Sequence, residues 1–208
     1  MTLLEIVGAR VGEERTPALP PFSARLAADR PAVAVAEGDR GPMLASLIAA
    51  GRLVPDGGEV LLDGSADPAA LRRAVALVDT PVVAEPADSL PVRSVVREEL
   101  RFAGRPSRGR DAEALLQHLD LDRWSRAPML DLPPTDRIRL LLELAALRDG
   151  VRALVLTSPE RHGGHASGWR RVAEDLTARG LPVLVIGGAA VRESTPTASE
   201  TDPTRDHS

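Results

Sequence analysis

The chain contains no lysine: all 26 of its basic residues are arginine. The G-x-x-x-x-G-K-[ST] phosphate loop needs lysine to reach the outer phosphates of a nucleotide, so no intact loop of that kind exists here. Lysine is absent beside abundant arginine, alanine and proline, which is the mark of a GC-rich coding bias. Cysteine is also absent, which excludes disulfides and thiolate metal sites. There is no tyrosine, and aromatics make up only 2% of residues, so the core must be built from Leu, Val, Ile and Ala. A net charge of −4 gives no electrostatic case for nucleic acid. The longest apolar run, Leu181 to Val191, has eleven residues, too few to cross a bilayer. No basic segment followed by an apolar run opens the sequence, so no signal peptide is expected. These absences lead to the expectation of a cytoplasmic chain without direct membrane insertion, whose membrane contact would need a partner.

What is present is a globular composition, with 43% hydrophobic and 27% charged residues over 208 positions, enough for one sizeable domain. Residues 3–6 and 32–36 are expected as short strands, with Pro20-Pro21 breaking the stretch between them. Met43–Ala50 is expected as a helix ended by Gly51, Glu59–Leu62 as a strand between glycine turns, Pro68–Arg73 as a short helix and Ala74–Val78 as a buried strand. Residues 91–148 then show helical periodicity, over 92–103, 111–119, 121–124 and 136–147. Strand and helix alternate again with Ala153–Leu156, Ala166–Arg179 and Pro182–Ile186. Residues 193–208 are rich in Ser, Thr, Pro and Asp, and disorder is expected there. The fold class is therefore α/β with a mostly parallel sheet: one domain over 1–192, with a core of about 1–88 and 149–192 and a helical insert of about 89–148.

The strand Ala32–Val35 runs into Ala36-Glu37-Gly38-Asp39-Arg40-Gly41, then Pro42 and Met43. This has the strand–loop–helix context of a phosphate loop, with proline where the lysine belongs. Leu53-Val54-Pro55-Asp56-Gly57-Gly58-Glu59-Val60-Leu61-Leu62-Asp63-Gly64 follows at the spacing of an "R-P-D-x-G-x-V-x-x-D-G" segment. Ala70–Val78 and the stretch from Leu90-Pro91-Val92-Arg93 to Val96-Arg97-Glu98-Glu99-Leu100 come next in order. Together these resemble the ATP-binding domain of ABC transporters, a P-loop NTPase-like fold, over almost all of residues 3–190.

The resemblance implies ATP and magnesium as family ligands, but the family's chemical positions fall on other residue types. The adenine-stacking aromatic falls near Val11, the loop lysine on Pro42, the magnesium hydroxyl on Met43 and the Q-loop glutamine on Thr80. The signature falls on Leu132-Pro133-Pro134-Thr135-Asp136. The Walker B acids fall on Thr157 and Ser158, the switch histidine on Gly188, and the D-loop around Gly163-Gly164. Pro42 removes a charge and a backbone donor while suiting the first turn of a helix. Met43 offers no oxygen to a hard cation, and neutral hydroxyls stand where carboxylates should hold magnesium and activate water. Phosphoryl transfer is mostly positioning and electrostatics, so neither ATPase activity nor a cofactor is expected. Gly38, Arg40 and Gly41 are the candidate relic contacts for an anion, with Arg40 a poor substitute for lysine.

Other features read as structural. His162-Gly163-Gly164-His165 reads as a solvated glycine loop short of zinc ligands, His118 as a surface or half-buried helix residue, and Glu98-Glu99 as a solvated helix face. Trp124 and Trp169 read as packing residues, and no G-x-S-x-G elbow exists. The resemblance implies a partner: a membrane permease subunit, and a second ABC subunit beside it. It leads to the expectation of a non-catalytic adaptor or regulatory subunit, held peripherally at the inner face of the membrane, with its contact surface on the insert around Val92–Phe102 and Leu121–Trp124. Two alternatives stand beside it: a subunit that binds ATP weakly and needs an intact partner, and a small-anion binding module.

Overall fold

The structure is a computed structural model that describes residues 2–13 and 15–193. Its strands form two sheets rather than one. β1 (Thr2–Val11) lies between β2 (Leu19–Ala27) and β4 (Gly57–Leu62) in an antiparallel sheet. The second sheet is parallel, in the order β3 (Ala32–Val35), β7 (Val183–Gly187), β6 (Ala153–Thr157), β5 (Val75–Val78). The three apolar strands expected together are therefore neighbours. The first of them is an edge strand, with Val33 exposed.

β2 was hidden from sequence reading by Pro20-Pro21. Both prolines are exposed, and they lie where β2 slips register against β1, between the pairs Ala9↔Phe22 and Val11↔Leu19. An edge strand tolerates proline at a bulge because the missing N–H need not serve a ladder. β1 is longer than expected for a related reason: Gly8 takes φ +56 at a register shift and the strand continues past it.

Side chains alternate along the parallel strands, but both faces are covered. Val75, Leu77, Ala153, Val155, Leu184 and Ile186 pack with α1 (Gly41–Ala49) and the antiparallel sheet. Ala76, Val78, Leu154, Leu156, Val183 and Val185 pack against α5 (Pro134–Ala146) and α6 (Ala166–Ala178). That double burial explains the unbroken apolar runs. Between β4 and β5, α2 (Pro68–Ala74) starts at Asp67, whose carboxylate accepts hydrogen bonds from the N–H groups of Ala69 and Ala70 at 2.8 and 3.1 Å.

The helical segment does not stand apart. α3 (Val92–Phe102), α4 (Gly109–His118) and α5 share one continuous cluster with the sheet, which joins Val92, Val96 and Leu116 to Leu154 and Leu156. A last helix, α7 (Ala190–Glu193), follows β7. Of the expected tail 193–208, Glu193 thus belongs to a helix, and the remainder lies outside the described residues.

Candidate functional site at the carboxyl ends of the parallel strands

The loops that follow β3, β5, β6 and β7 all leave the sheet at its carboxyl end, which is where open α/β sheets place ligands. After β3, Gly38 takes φ +90. The N–H of Gly41 donates to the Gly38 carbonyl at 3.0 Å, so the loop closes on itself. A Cβ on Gly41 would stand 3.0 Å from the Ala36 carbonyl oxygen. Pro42, at the start of α1, has no N–H to give. Gly38, Arg40 and Gly41 therefore share one turn, with Arg40 exposed at the N-cap and exposed Glu37 and Asp39 beside it. Two carboxylates against one guanidinium oppose an anion here.

Thr80 and Thr157 are brought into contact. Their hydroxyls lie 2.8 Å apart, and Thr157 Oγ1 donates to Ser46 Oγ on α1 at 2.9 Å. All three residues are fully buried. Thr157 is thus the centre of a hydroxyl chain that ties β5, β6 and α1 together. Ser158 takes φ +47 and donates its N–H to the Ile186 carbonyl at 2.8 Å. Beyond β7, the N–H of Gly188 donates to Glu160 Oε1 at 3.1 Å. Pro133 and Pro134 open α5, and Gly164 lies close to Pro134. With a thioether at Met43 and hydroxyls that already satisfy one another at 80, 157 and 46, the residues present do not fit a magnesium–nucleotide pair. Thr157→Asp, which restores a carboxylate, should cost about 2–4 kcal/mol because the charge enters a buried site built for hydroxyls. Urea denaturation measures this, and recovery of the lost stability on adding magnesium would contradict the reading.

Sequence reasoning missed the strongest electrostatic feature of this end of the molecule. Asp79, at the end of β5, is buried with φ +53. Its Oδ2 lies 2.5 Å from His162 Nε2, and its Oδ1 lies 3.0 Å from Arg161 Nη2 and 3.3 Å from Arg137 Nη2. Arg161 also donates to the Asp79 backbone carbonyl at 2.7 Å and pairs with Glu85 at 2.9 Å. Arg137, on α5 and only 3% exposed, reaches Asp88 at 3.1 Å as well. Burial alone pushes the Asp79 carboxyl upward. The His162 hydrogen bond and the charges of Arg161, Arg137 and His162 outweigh it and hold the carboxyl below its usual range. An ionised carboxylate only accepts, so His162 Nε2 carries the hydrogen.

His162, itself partly exposed, is therefore tied to a buried carboxylate, while Gly163, Gly164 and His165 beyond it are exposed as expected of a solvated loop, and Arg137 fastens the helical segment to the sheet. Oxygen and nitrogen donors of Asp79, Glu85 and His162 lie within 4.8 Å of one another. Two guanidinium groups already neutralise this cluster, so a cation entering it would meet like charge. The only sequence signal for the network was an acid placed directly after an apolar strand.

No family profile matches the sequence, and no curated protein matches it. Solved structures do match in shape. A nucleotide-free ATP-binding cassette from an ABC transporter superposes with a TM-score of 0.64 at 15% identity, covering 91% of this chain and 82% of that one. CbiO1 from Clostridium perfringens, part of the ABC transporter complex cbiONQ, gives 0.61 at 16%, covering 90% and 78%. An ATP-binding cassette of an ABC transporter in its ADP conformation gives 0.62 at 16%, covering 90% and 82%. The chain has the fold of an ABC ATP-binding cassette.

Proposed function

We propose that this chain is a non-catalytic subunit of an ABC-type membrane transport complex, an adaptor or regulatory partner that docks on a permease subunit. The observation that carries the reading is the closure of the carboxyl end of the parallel sheet. The loop before α1 bonds to itself, Thr80, Thr157 and Ser46 satisfy one another, and Asp79 is neutralised by Arg137, Arg161 and His162. A cassette scaffold with those places filled from within has no need of ATP to hold its helical segment against its sheet. The solved relatives supply the transport context: CbiO1 is part of a transporter complex. No helix among the described residues is long and apolar enough to cross a membrane, so in this reading the permease supplies the membrane-spanning part.

We place the docking surface beside the one expected from the sequence, because most apolar residues of the latter are committed to the core. Val92, Val95, Val96, Leu100 and Leu121 are buried in the core, and Trp124 packs partly against it. Phe102 alone of the apolar residues in that stretch is open, at 66% exposure. Other exposed apolar residues include Val82, Val83, Leu90 and Leu130, the last at 70% exposure. Leu90 and Leu130 lie on segments bonded to each other through the Met129 N–H and the Leu90 carbonyl, at 2.9 Å. In this reading the adjoining Leu90 and Leu130, with Val82 and Val83 earlier in the same connecting segment, offer the partner surface.

The purified chain should show neither ATP hydrolysis nor a magnesium-dependent thermal shift with ATP. Val82→Glu combined with Leu130→Asp should abolish co-purification with the permease while leaving the melting temperature nearly unchanged. Turnover by the isolated chain, lost on mutating residues 38–43, would sink this reading. A shift with magnesium–ATP but without turnover would make the chain a weak nucleotide binder that needs an intact partner. A shift with phosphate alone would make it an anion module.

A further inference from the structure

Charge is unevenly distributed along this acidic chain. Residues 93–110 hold six arginines and two glutamates, net +4, in a protein whose total is −4. Arg93, Arg97 and Arg101 recur every fourth residue on α3 and are all exposed, so they share an arc of about 80° on the helix. Arg108, at the start of α4, adjoins them: Arg97 Nε donates to the Ser107 carbonyl at 3.2 Å. None of these four makes an ion pair with a described residue. Their neighbours do: Glu99 is tied to Arg148 at 2.6 Å, Arg105 to Asp149 at 3.1 Å, and Arg110 to Asp111 at 3.7 Å. Glu98 is the one exposed acid of α3, and helix geometry sets it to the side of the arginine arc. Four cations without an ion-pair partner on one face, with Glu99, Asp149 and Asp111 committed to other arginines and Glu98 set to the side, form a surface that attracts negative charge.

Resting on the transport-complex reading, we propose that this face of α3 and α4 lies against anionic phospholipid headgroups of the membrane leaflet beside the permease. The complement is lipid rather than the permease itself, because the cytoplasmic loops of membrane proteins carry excess Lys and Arg and would repel this face. The cytoplasmic leaflet is negatively charged and attracts basic side chains by about fivefold in affinity for each one near the surface. The apolar residues of α3 are committed to the core, so the contact is electrostatic, reversible and without insertion. It orients the subunit while the apolar surface around Leu130 makes the protein contact.

The test uses the full purified chain and protein-free vesicles, so it does not depend on any permease. The chain should sediment with vesicles of phosphatidylcholine mixed with phosphatidylglycerol and remain in solution with phosphatidylcholine alone. Binding should weaken steeply with salt. The triple variant Arg93→Gln, Arg97→Gln, Arg101→Gln should lose at least about tenfold in partitioning. A control triple at exposed positions elsewhere, Arg15→Gln, Arg30→Gln, Arg73→Gln, carries the same net charge and should keep its binding. Equal loss in the two triples would overturn the proposal, and so would salt-independent wild-type binding or none to the mixed vesicles. Binding to polyglutamate without binding to vesicles would also overturn it, and would point to an acidic protein segment. The wild-type vesicle and salt arms decide the matter even if a variant folds poorly. Vesicle binding without permease co-purification would fail the transport reading and leave this surface standing.

Discussion

Asp79→Ala should cost the fold about 3–5 kcal/mol, because it leaves a buried guanidinium without its counter-charge. Arg137 is 3% exposed and its second carboxylate, Asp88, is more than half exposed. Asp88 sits in the solvent-screened part of the network and cannot replace a buried partner. Urea denaturation measures the loss. The double variant Asp79→Ala, Arg137→Met should regain much of it, since removing both charges avoids the uncompensated one. A loss below about 1 kcal/mol would show that the network is solvated rather than buried.

The same group sets an acid limit. Its folded pKa lies below the ordinary carboxylate value, so its contribution is complete above the unfolded pKa of about 3.9. That contribution is lost as pH falls through and below that value, because the unfolded chain then binds the proton first. Stability measured between neutral pH and pH values near and below the unfolded value should therefore fall more steeply for the wild type than for Asp79→Asn.

Gly58→Ala should be nearly as damaging, at about 3 kcal/mol or more, through strain rather than charge. Gly58 lies at the register shift between β4 and β1 and takes φ +75. A Cβ there would stand 2.3 Å from the carbonyl oxygens of both Val7 and Gly8. Those are backbone atoms, so β1 and β4 would have to separate. Gly38→Ala supplies the comparison, since it has φ +90 but nothing within 4 Å of the added carbon. It should cost only about 1 kcal/mol. Equal thermal shifts for the two variants would show that the close approach of β1 and β4 does not matter.

The two cases differ in how far they could be read in advance. Gly57-Gly58 lies within the segment that carries the family resemblance, so the turn into β4 was legible even though the bulge was not. The parallel strands were legible too. Ala153–Leu156 and Val183–Ile186 are apolar without alternation because both faces of the sheet are covered, and burial of that kind writes itself into consecutive residues. β2 was illegible because two prolines contradict a strand locally. Only its place at a sheet edge, where no ladder partner is required, permits them.

The sequence by itself determined the type and order of most elements, β2 excepted, and that positions 42, 157 and 158 hold no lysine and no carboxylate, since each depends on a residue and its near neighbours. Only the tertiary structure decided what stands in their place. Asp79 finds Arg137, Arg161 and His162 at 58, 82 and 83 residues' distance along the chain. Thr157 finds Ser46 across 111. Nothing local distinguishes a solvated aspartate from a buried, neutralised one. The difference is made by the strand order, which brings the ends of β5 and β6 side by side beneath α1 and α5 and removes the water that would otherwise have screened those charges.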